Sequence, residues 1–478
     1  MIILYSILAA LAVFILVLFI RALLFKPQKI QKRASEPVHV DITKASSDLS
    51  EMIKCKTISY REKEKEDESE FDKFKALLPK LFPNVFLKCE YNEVGNRAIL
   101  IKWEGKKHAS PTVLMSHFDV VNVEQELWQK DAFSGEIENG MLWGRGTLDT
   151  KGTLNAILQS AEMLIGEGFT PEEDMYFAFA GDEEISGGGA ALIVDLFEEK
   201  GIVPGIVLDE GGAVVTNVFP GVSTPCALIG IAEKGMANIE YSIKGNGGHS
   251  SSPAMRTFIG KLSEACVRVE KHPFKYRMTD PAKKMFDALA RHSSFLFRFI
   301  FANTWCFGPL INLIAKMIGG EFNAMVRTTV AFTQMEGSKG TNVLPSEAKM
   351  VSNLRLMEGD TVESALKYVE KTVKNKQIEV KLLAGNDPSR VSVTEGPAWE
   401  KLTSAVKDTW QSALVSPYLM VACSDSRHWG RISDKVYRFS AMALSKEERG
   451  SIHGNDEKIP LGTIEKLVEF YVRLMKRF

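Results

Sequence analysis

Hydrophobic positions fall into three regimes along the chain. From Ile2 to Ile20 every residue is apolar except Ser6, and a helix over that run would span roughly 28 Å, enough for the hydrocarbon core of a bilayer. The run predicts one N-terminal transmembrane helix within an anchor over residues 1–25. A cleaved signal peptide is the competing reading; against it, no Lys or Arg precedes the apolar run and no small-x-small cleavage site follows. Residues 26–46 then read as a linker, polar from Gln28 to Val40.

From about Asp48 to Ile231 the pattern changes to short apolar runs alternating with segments of helical period. Pro111–Met115, Met175–Ala180 and Ile202–Leu208 read as strands, and Leu154, Ile157, Leu158, Ala161 and Leu164 mark one helix. This order predicts an α/β domain with a largely parallel central sheet, residues 47–234. A third regime follows. Ala237–Ile243 alternates as a strand and a helix starts from Arg256. Strands at Val326–Phe332 and Ala348–Leu356 precede a helix at Val362–Val373 and a strand at Ile378–Leu383. This β-α-β-β-α-β order predicts an inserted ferredoxin-like α+β domain over residues 235–390. The first domain resumes near Ser392 and fills residues 391–478.

Composition adds bounds. The chain has 478 residues, which suggests two to three domains, and its 45% apolar and 25% charged residues are those of a globular protein. A net charge of −1 with no basic stripe argues against nucleic acid as a partner. The six cysteines show no paired spacing, which disfavours a disulfide framework or a cysteine-zinc site. Lys26, Lys29, Lys32 and Arg33 directly follow the apolar run, and the positive-inside rule would leave the body cytoplasmic.

The candidate chemistry collects at strand ends. His117 and Asp119 lie two residues apart after the first strand, so they share a face; the histidine can ligate a metal and the aspartate can orient it. Trp143–Gly152 is a Gly-rich turn that puts Asp149 where a strand gives way to a helix. Glu183 and Glu184 follow the Met175–Ala180 strand, and two adjacent carboxylates can divide into a metal ligand and a proton acceptor. Asp209 and Glu210 end the next strand, and His453 stands in a loop before the final helix. In open α/β sheets ligands gather at such ends. No Gly-x-Ser-x-Gly elbow is present, which disfavours a serine hydrolase.

In this order the residues resemble the aminoacylase and carboxypeptidase S family of co-catalytic dizinc peptidases, from about Asp48 to the C-terminus. Leu208-Asp209-Glu210-Gly211-Gly212, Ala232-Glu233-Lys234-Gly235 and Ser424-Asp425-Ser426-Arg427-His428 are most similar to the carboxypeptidase S and N-acyl amino acid hydrolase branch. The resemblance implies two zinc ions per active site. His117 and Asp209 would bind one and Glu184 and His453 the other, with Asp149 bridging; Glu210 competes with Asp209. Glu183 is implied as general base, Asp119 as the residue supporting the site, and a cis peptide bond is implied between Asp149 and Thr150.

The same resemblance makes the inserted domain a lid and a surface for a possible homodimer. It implies that His249 stabilises the oxyanion, and that Asn342 and Arg355 contact a substrate carboxylate. The substrate would be a small molecule, a short peptide or an N-acyl amino acid. Relatives act in secretory or vacuolar compartments, opposite to the charge rule, so the side of the membrane stays open. A catalytically silent, membrane-tethered binding protein is the other class of function, disfavoured because every ligand is present. The aromatic stretch from Phe295 to Ile318 has three readings: lid core, a surface dipping into the membrane, or a wall for an acyl group. Arg298, Asn303 and Pro309 argue against a second membrane span.

Overall fold

Residues 1–27 and 35–478 are described by a computed structural model; the stretch 28–34, with Lys29, Lys32, Arg33 and half of the expected polar linker, lies outside the described residues. The main domain is built on an eight-stranded sheet. From one edge its strands run Glu90–Val94, Ala98–Trp103, Glu173–Ala180, Lys107–His117, Ile206–Val215, Val436–Ala443, Cys226–Glu233 and Leu414–Met420. Parallel pairing joins Lys107–His117 to both of its neighbours, Val436–Ala443 to Ile206–Val215, and Leu414–Met420 to Cys226–Glu233. The remainder is antiparallel, so the sheet is mixed rather than largely parallel. One of these pairings has a local cause: Glu90–Val94 and Ala98–Trp103 are joined by a tight turn at Gly95, which only antiparallel neighbours allow.

The helix Lys151–Gly166 is buried almost all round, between the sheet and the C-terminal helix Leu461–Met475. Its small and aliphatic residues suit that double burial.

The smaller domain has four antiparallel strands, in the order Thr329–Glu336, Glu347–Leu356, Gly235–Lys244 and Glu379–Asn386. Glu347–Leu356 alternates strictly between buried and half-buried residues, and its buried face meets the helices Phe258–Lys271 and Val362–Val373 around Tyr241, Leu262, Met350 and Val369. The element order is the expected ferredoxin-like one. The expected range 235–390 nevertheless holds a second body. Helices Asp280–Ala290, Phe295–Phe301, Thr304–Ile318 and Gly320–Ala324 send Ala282, Met285, Phe286, Leu289, Ala302 and Ala315 into the core of the main domain. Their apolar residues find Phe219 and Tyr418 there, and Tyr418 donates to Glu321 across the contact (3.2 Å).

The N-terminal run is a helix, Ile2–Leu24, long and apolar enough to cross a membrane.

Candidate active site

Strand register assembles the site. Across the parallel pairings His117 lies opposite Ala180 and Leu114 opposite Leu208, so His117, the Gly181–Glu184 turn and Asp209–Glu210, the last still within the longer strand Ile206–Val215, come together at one end of three central strands. Asp149 joins them through Thr150, whose hydroxyl accepts from the His117 amide (3.0 Å). The Asp149–Thr150 peptide is cis. In the turn before it, Gly146 has φ of 92°, and a Cβ there would stand 2.9 Å from Val120; glycine meets both demands.

Asp149 lies between two imidazoles. Its Oδ1 is 3.0 Å from His117 Nε2 and its Oδ2 is 3.0 Å from His453 Nε2. His453 Nε2 is also 3.0 Å from Glu184 Oε2, and His117 Nε2 is 3.6 Å from Glu210 Oε1. Glu183 stands with His117 and Glu210, close enough for one ion to be shared. Glu184 Oε1 is buried with no hydrogen-bond partner among the described residues. This donor set fits a pair of divalent cations. Imidazole nitrogens and carboxylate oxygens converge with their lone pairs facing one another, and a buried carboxylate oxygen is left over.

The electrostatics say the same. Burial works to raise the Asp149 pKa, but the two histidines outweigh it and hold this carboxyl well below the usual range. Burial and the Asp149 charge push Glu210 up to about 8. Glu183 is also raised, by burial first, with His117 opposing and the neighbouring carboxylates adding. Hydrogen bonds that its ring donates to the Asp149 and Glu184 carboxylates lift His453 to about 10. Several carboxylates thus share one small volume, an arrangement that bound cations relieve.

Asp119 does not face the cluster's centre. Its carboxylate accepts the backbone N–H groups of Glu183 and Glu184 (both 3.1 Å) and the Ser59 hydroxyl (2.7 Å). Its carbonyl lies 3.0 Å from His117 Nδ1. It therefore orients three candidate residues at once.

Asp209 and Glu210 separate as strand neighbours must, to opposite faces. Glu210 turns to His117, whereas the Asp209 carboxylate is buried and accepts the Ser426 N–H (2.8 Å). Of the expected ligand Asp209 and its competitor Glu210, it is thus Glu210 that lies beside His117, while Asp209 bonds the Ser424–His428 loop. Arg355, on the smaller domain's sheet, donates to Cys423 Sγ (3.4 Å) beside that loop. His249 and Asn342 come together in a second place, since Gly248–His249 pairs with Val343–Leu344 and the Ser250 N–H donates to the Asn342 carbonyl. His249 is exposed and its ring bonds Ser251 (2.8 Å); among the described residues no bond joins it to the carboxylate cluster.

One supporting residue escaped the sequence. Glu457 is fully buried and accepts from Arg145 (2.6 Å), from the Leu148 N–H (2.8 Å) and from the Gly146 N–H (3.1 Å). Arg145 also donates to the Gly454 carbonyl (2.7 Å). The pair ties the Asp149 turn to the His453 loop across some 300 residues of chain. The only sequence signal was an acidic residue four positions after His453, which reads as ordinary loop polarity.

The sequence profile described as peptidase family M20/M25/M40 matches residues 113–477. The chain is 32% identical to probable carboxypeptidase S-like 2 of Dictyostelium discoideum over 476 residues, covering 97% of this chain and 91% of the relative. It is 35% identical to an N-fatty-acyl-amino acid synthase/hydrolase of Xenopus tropicalis over 434 residues, 90% of this chain and 84% of that one. An M20 family metallo-carboxypeptidase from Sulfolobus solfataricus shares the fold, with a TM-score of 0.66 at 17% identity, over 90% of this chain and 98% of its own. With a profile match over most of its length and relatives above 30% identity along nearly the whole of it, the chain belongs to peptidase family M20/M25/M40 and is a hydrolase of that metal-dependent family.

Proposed function

We propose that the protein hydrolyses the amide bond to a C-terminal amino acid with a free carboxylate, as a dizinc carboxypeptidase acting on short peptides. The observation that carries this reading is Asp149, with one oxygen 3.0 Å from each of two histidines and a carboxylate, Glu210 or Glu184, beside each. His117 and Glu210 would hold one ion, His453 and Glu184 the other, and Asp149 would bridge. Bound there, the ions would polarise the scissile carbonyl and acidify water.

The chain's own residues do the rest. Glu183 takes the proton of the attacking water at its carboxylate and returns it to the amine nitrogen as the C–N bond breaks. The products are a carboxylate and a free amino acid. Asp119 keeps Glu183 and Glu184 in place through their amides. His249 donates to the carbonyl oxygen as it gains charge, reaching the cluster when the smaller domain closes over it or from a second subunit of a homodimer. Asn342 and Arg355 hold the substrate carboxylate, Arg355 with its planar fork. The N-terminal helix anchors the enzyme to a membrane.

A second reading, hydrolysis of N-acyl amino acids, is favoured by the 35% identity to a protein named for fatty-acyl substrates. The bond broken is the same. Full-length, zinc-loaded protein offered matched blocked dipeptides and N-fatty-acyl amino acids, with Glu183→Ala as control, separates the two. Faster turnover of dipeptides supports the carboxypeptidase, and faster turnover of fatty-acyl substrates the second reading. No Glu183-dependent turnover of either overturns both.

A further inference from the structure

The apolar surface of this protein continues from the N-terminal helix onto a second element. Every residue from Met1 to Val17 is exposed, and burial starts at Leu18 and Ala22. What covers them is the Phe295–Ile318 segment. Phe19 packs on Phe295 and Phe299 (ring centroids 6.2 and 5.0 Å), and Phe14 meets Trp305 edge-on at 5.8 Å. Two polar contacts fix the register. The Arg21 guanidinium donates to the Ala302 carbonyl (3.0 and 3.2 Å), and the buried Asn303 amide donates to the Leu18 carbonyl (3.1 Å).

These contacts place the segment at a depth. The helix has 23 residues and is about 34 Å long, against a hydrocarbon core of about 30 Å. The segment's contacts run from Phe14 to Arg21, about 10 Å of helix in the half nearest the enzyme body, and just below them the Phe25 ring lies under the Arg291 guanidinium at 4.3 Å. If the helix spans, the segment beside it cannot be in water. Its outward face agrees: Leu296, Trp305, Leu313, Met317 and Ile318 are each more than half exposed, five large apolar side chains on one short segment, where soluble surfaces carry such residues singly. Its inward face, Ile311 and Ala315, is buried in the protein. At the helix's lower end the chemistry becomes amphipathic. Arg21, Lys283 and Arg291 line a cavity of about 450 Å³ together with Phe25, Phe286 and Phe301, and Arg291 is paired with Asp287. Cations at that level suit lipid headgroups.

We propose that Phe295–Ile318 is seated in the membrane leaflet next to the enzyme body, against the lower half of the N-terminal helix, so that the main domain rests on a lipid surface through two elements. The inference goes beyond the proposed reaction, and rests on the helix being a retained anchor. Two readouts keep these apart. Full-length protein and its Trp305→Phe variant are inserted into phosphatidylcholine vesicles whose acyl chains carry bromine near the headgroup or near the methyl end. The part of the tryptophan emission that the variant lacks reports Trp305. Mass spectrometry of the inserted protein reports the N-terminus.

The expected result is loss of most of the Trp305-dependent emission to chain bromines, with residues 1–25 intact. Leu313→Trp in the Trp305→Phe background repeats the test about two turns further along the same helix and should also be quenched. Inserted protein with an intact N-terminus and no quenching at either position overturns the proposal and leaves the anchor. A chain cleaved before Lys26 overturns both.

Discussion

Removing the Glu457 carboxylate should separate the two halves of the metal site. Glu457 and Arg145 are both buried and bonded at 2.6 Å, and the same carboxylate accepts the Gly146 and Leu148 amides. Glu457→Ala leaves the arginine and two N–H groups without it. Breaking one side of a buried pair costs about 3–5 kcal/mol, which sets about 3 as a floor, and the orphaned amides add to it, at about 1–3 kcal/mol each without adding fully. Glu457→Gln keeps an oxygen for the amides but removes the charge, so its loss should be smaller. Urea denaturation of the zinc-loaded variants measures this. The exposed Lys367–Glu363 pair is the control, and Glu363→Gln should leave the urea midpoint unchanged, because solvent screens an exposed pair. Because Glu457 and Arg145 hold the Asp149 turn and the Gly454 carbonyl, zinc affinity by chelator competition should also fall, by about 10- to 100-fold, as for residues that orient ligands. A Glu457→Gln variant that is destabilised but binds zinc as the wild type does would refute the positioning role. One unchanged in both would refute the reasoning altogether.

Glu183→Ala should keep both metals, by elemental analysis, and lose nearly all turnover, whereas Asp149→Ala should lose metal as well; near-normal activity of the first would remove Glu183 as the base. Glu210→Ala should lose metal while Asp209→Asn keeps it and disturbs the Ser424–His428 loop, and the reverse result would restore Asp209 as the ligand. Lys234 is fully buried, and burial, followed by the Arg355 charge, pulls it down to about 7. Between there and about 10.4 the unfolded chain holds a proton that the folded one has released, so Lys234 makes stability rise with pH, by at most about 1.4 kcal/mol per unit, with no slope from it below about 7. The stability of wild type minus that of Lys234→Met should therefore grow from pH 7.5 to 9.5, and a difference independent of pH would contradict this.

Local pattern was enough for a good part of this protein. The spacing of His117 and Asp119, the adjacency of Glu183 and Glu184 and the placement of all four at strand ends depend on periods of two to four residues, which a sequence displays directly. The βαββαβ order of the smaller domain was legible for the same reason. Tertiary structure decided what lies between distant segments. Strand alternation states that Asp209 and Glu210 face opposite ways, but only the packing of the Ser424–His428 loop on one side and His117 on the other says which faces the site. The Arg145–Glu457 pair spans 312 residues, and neither residue carries a local sign of its partner. Residues 280–324 lie between strands of one domain yet bury their apolar faces in the other. Hydrophobic period fixes that a helix has a face to bury; it carries no information about which neighbour covers that face, because burial is non-directional and is set by whatever surface the completed chain brings near.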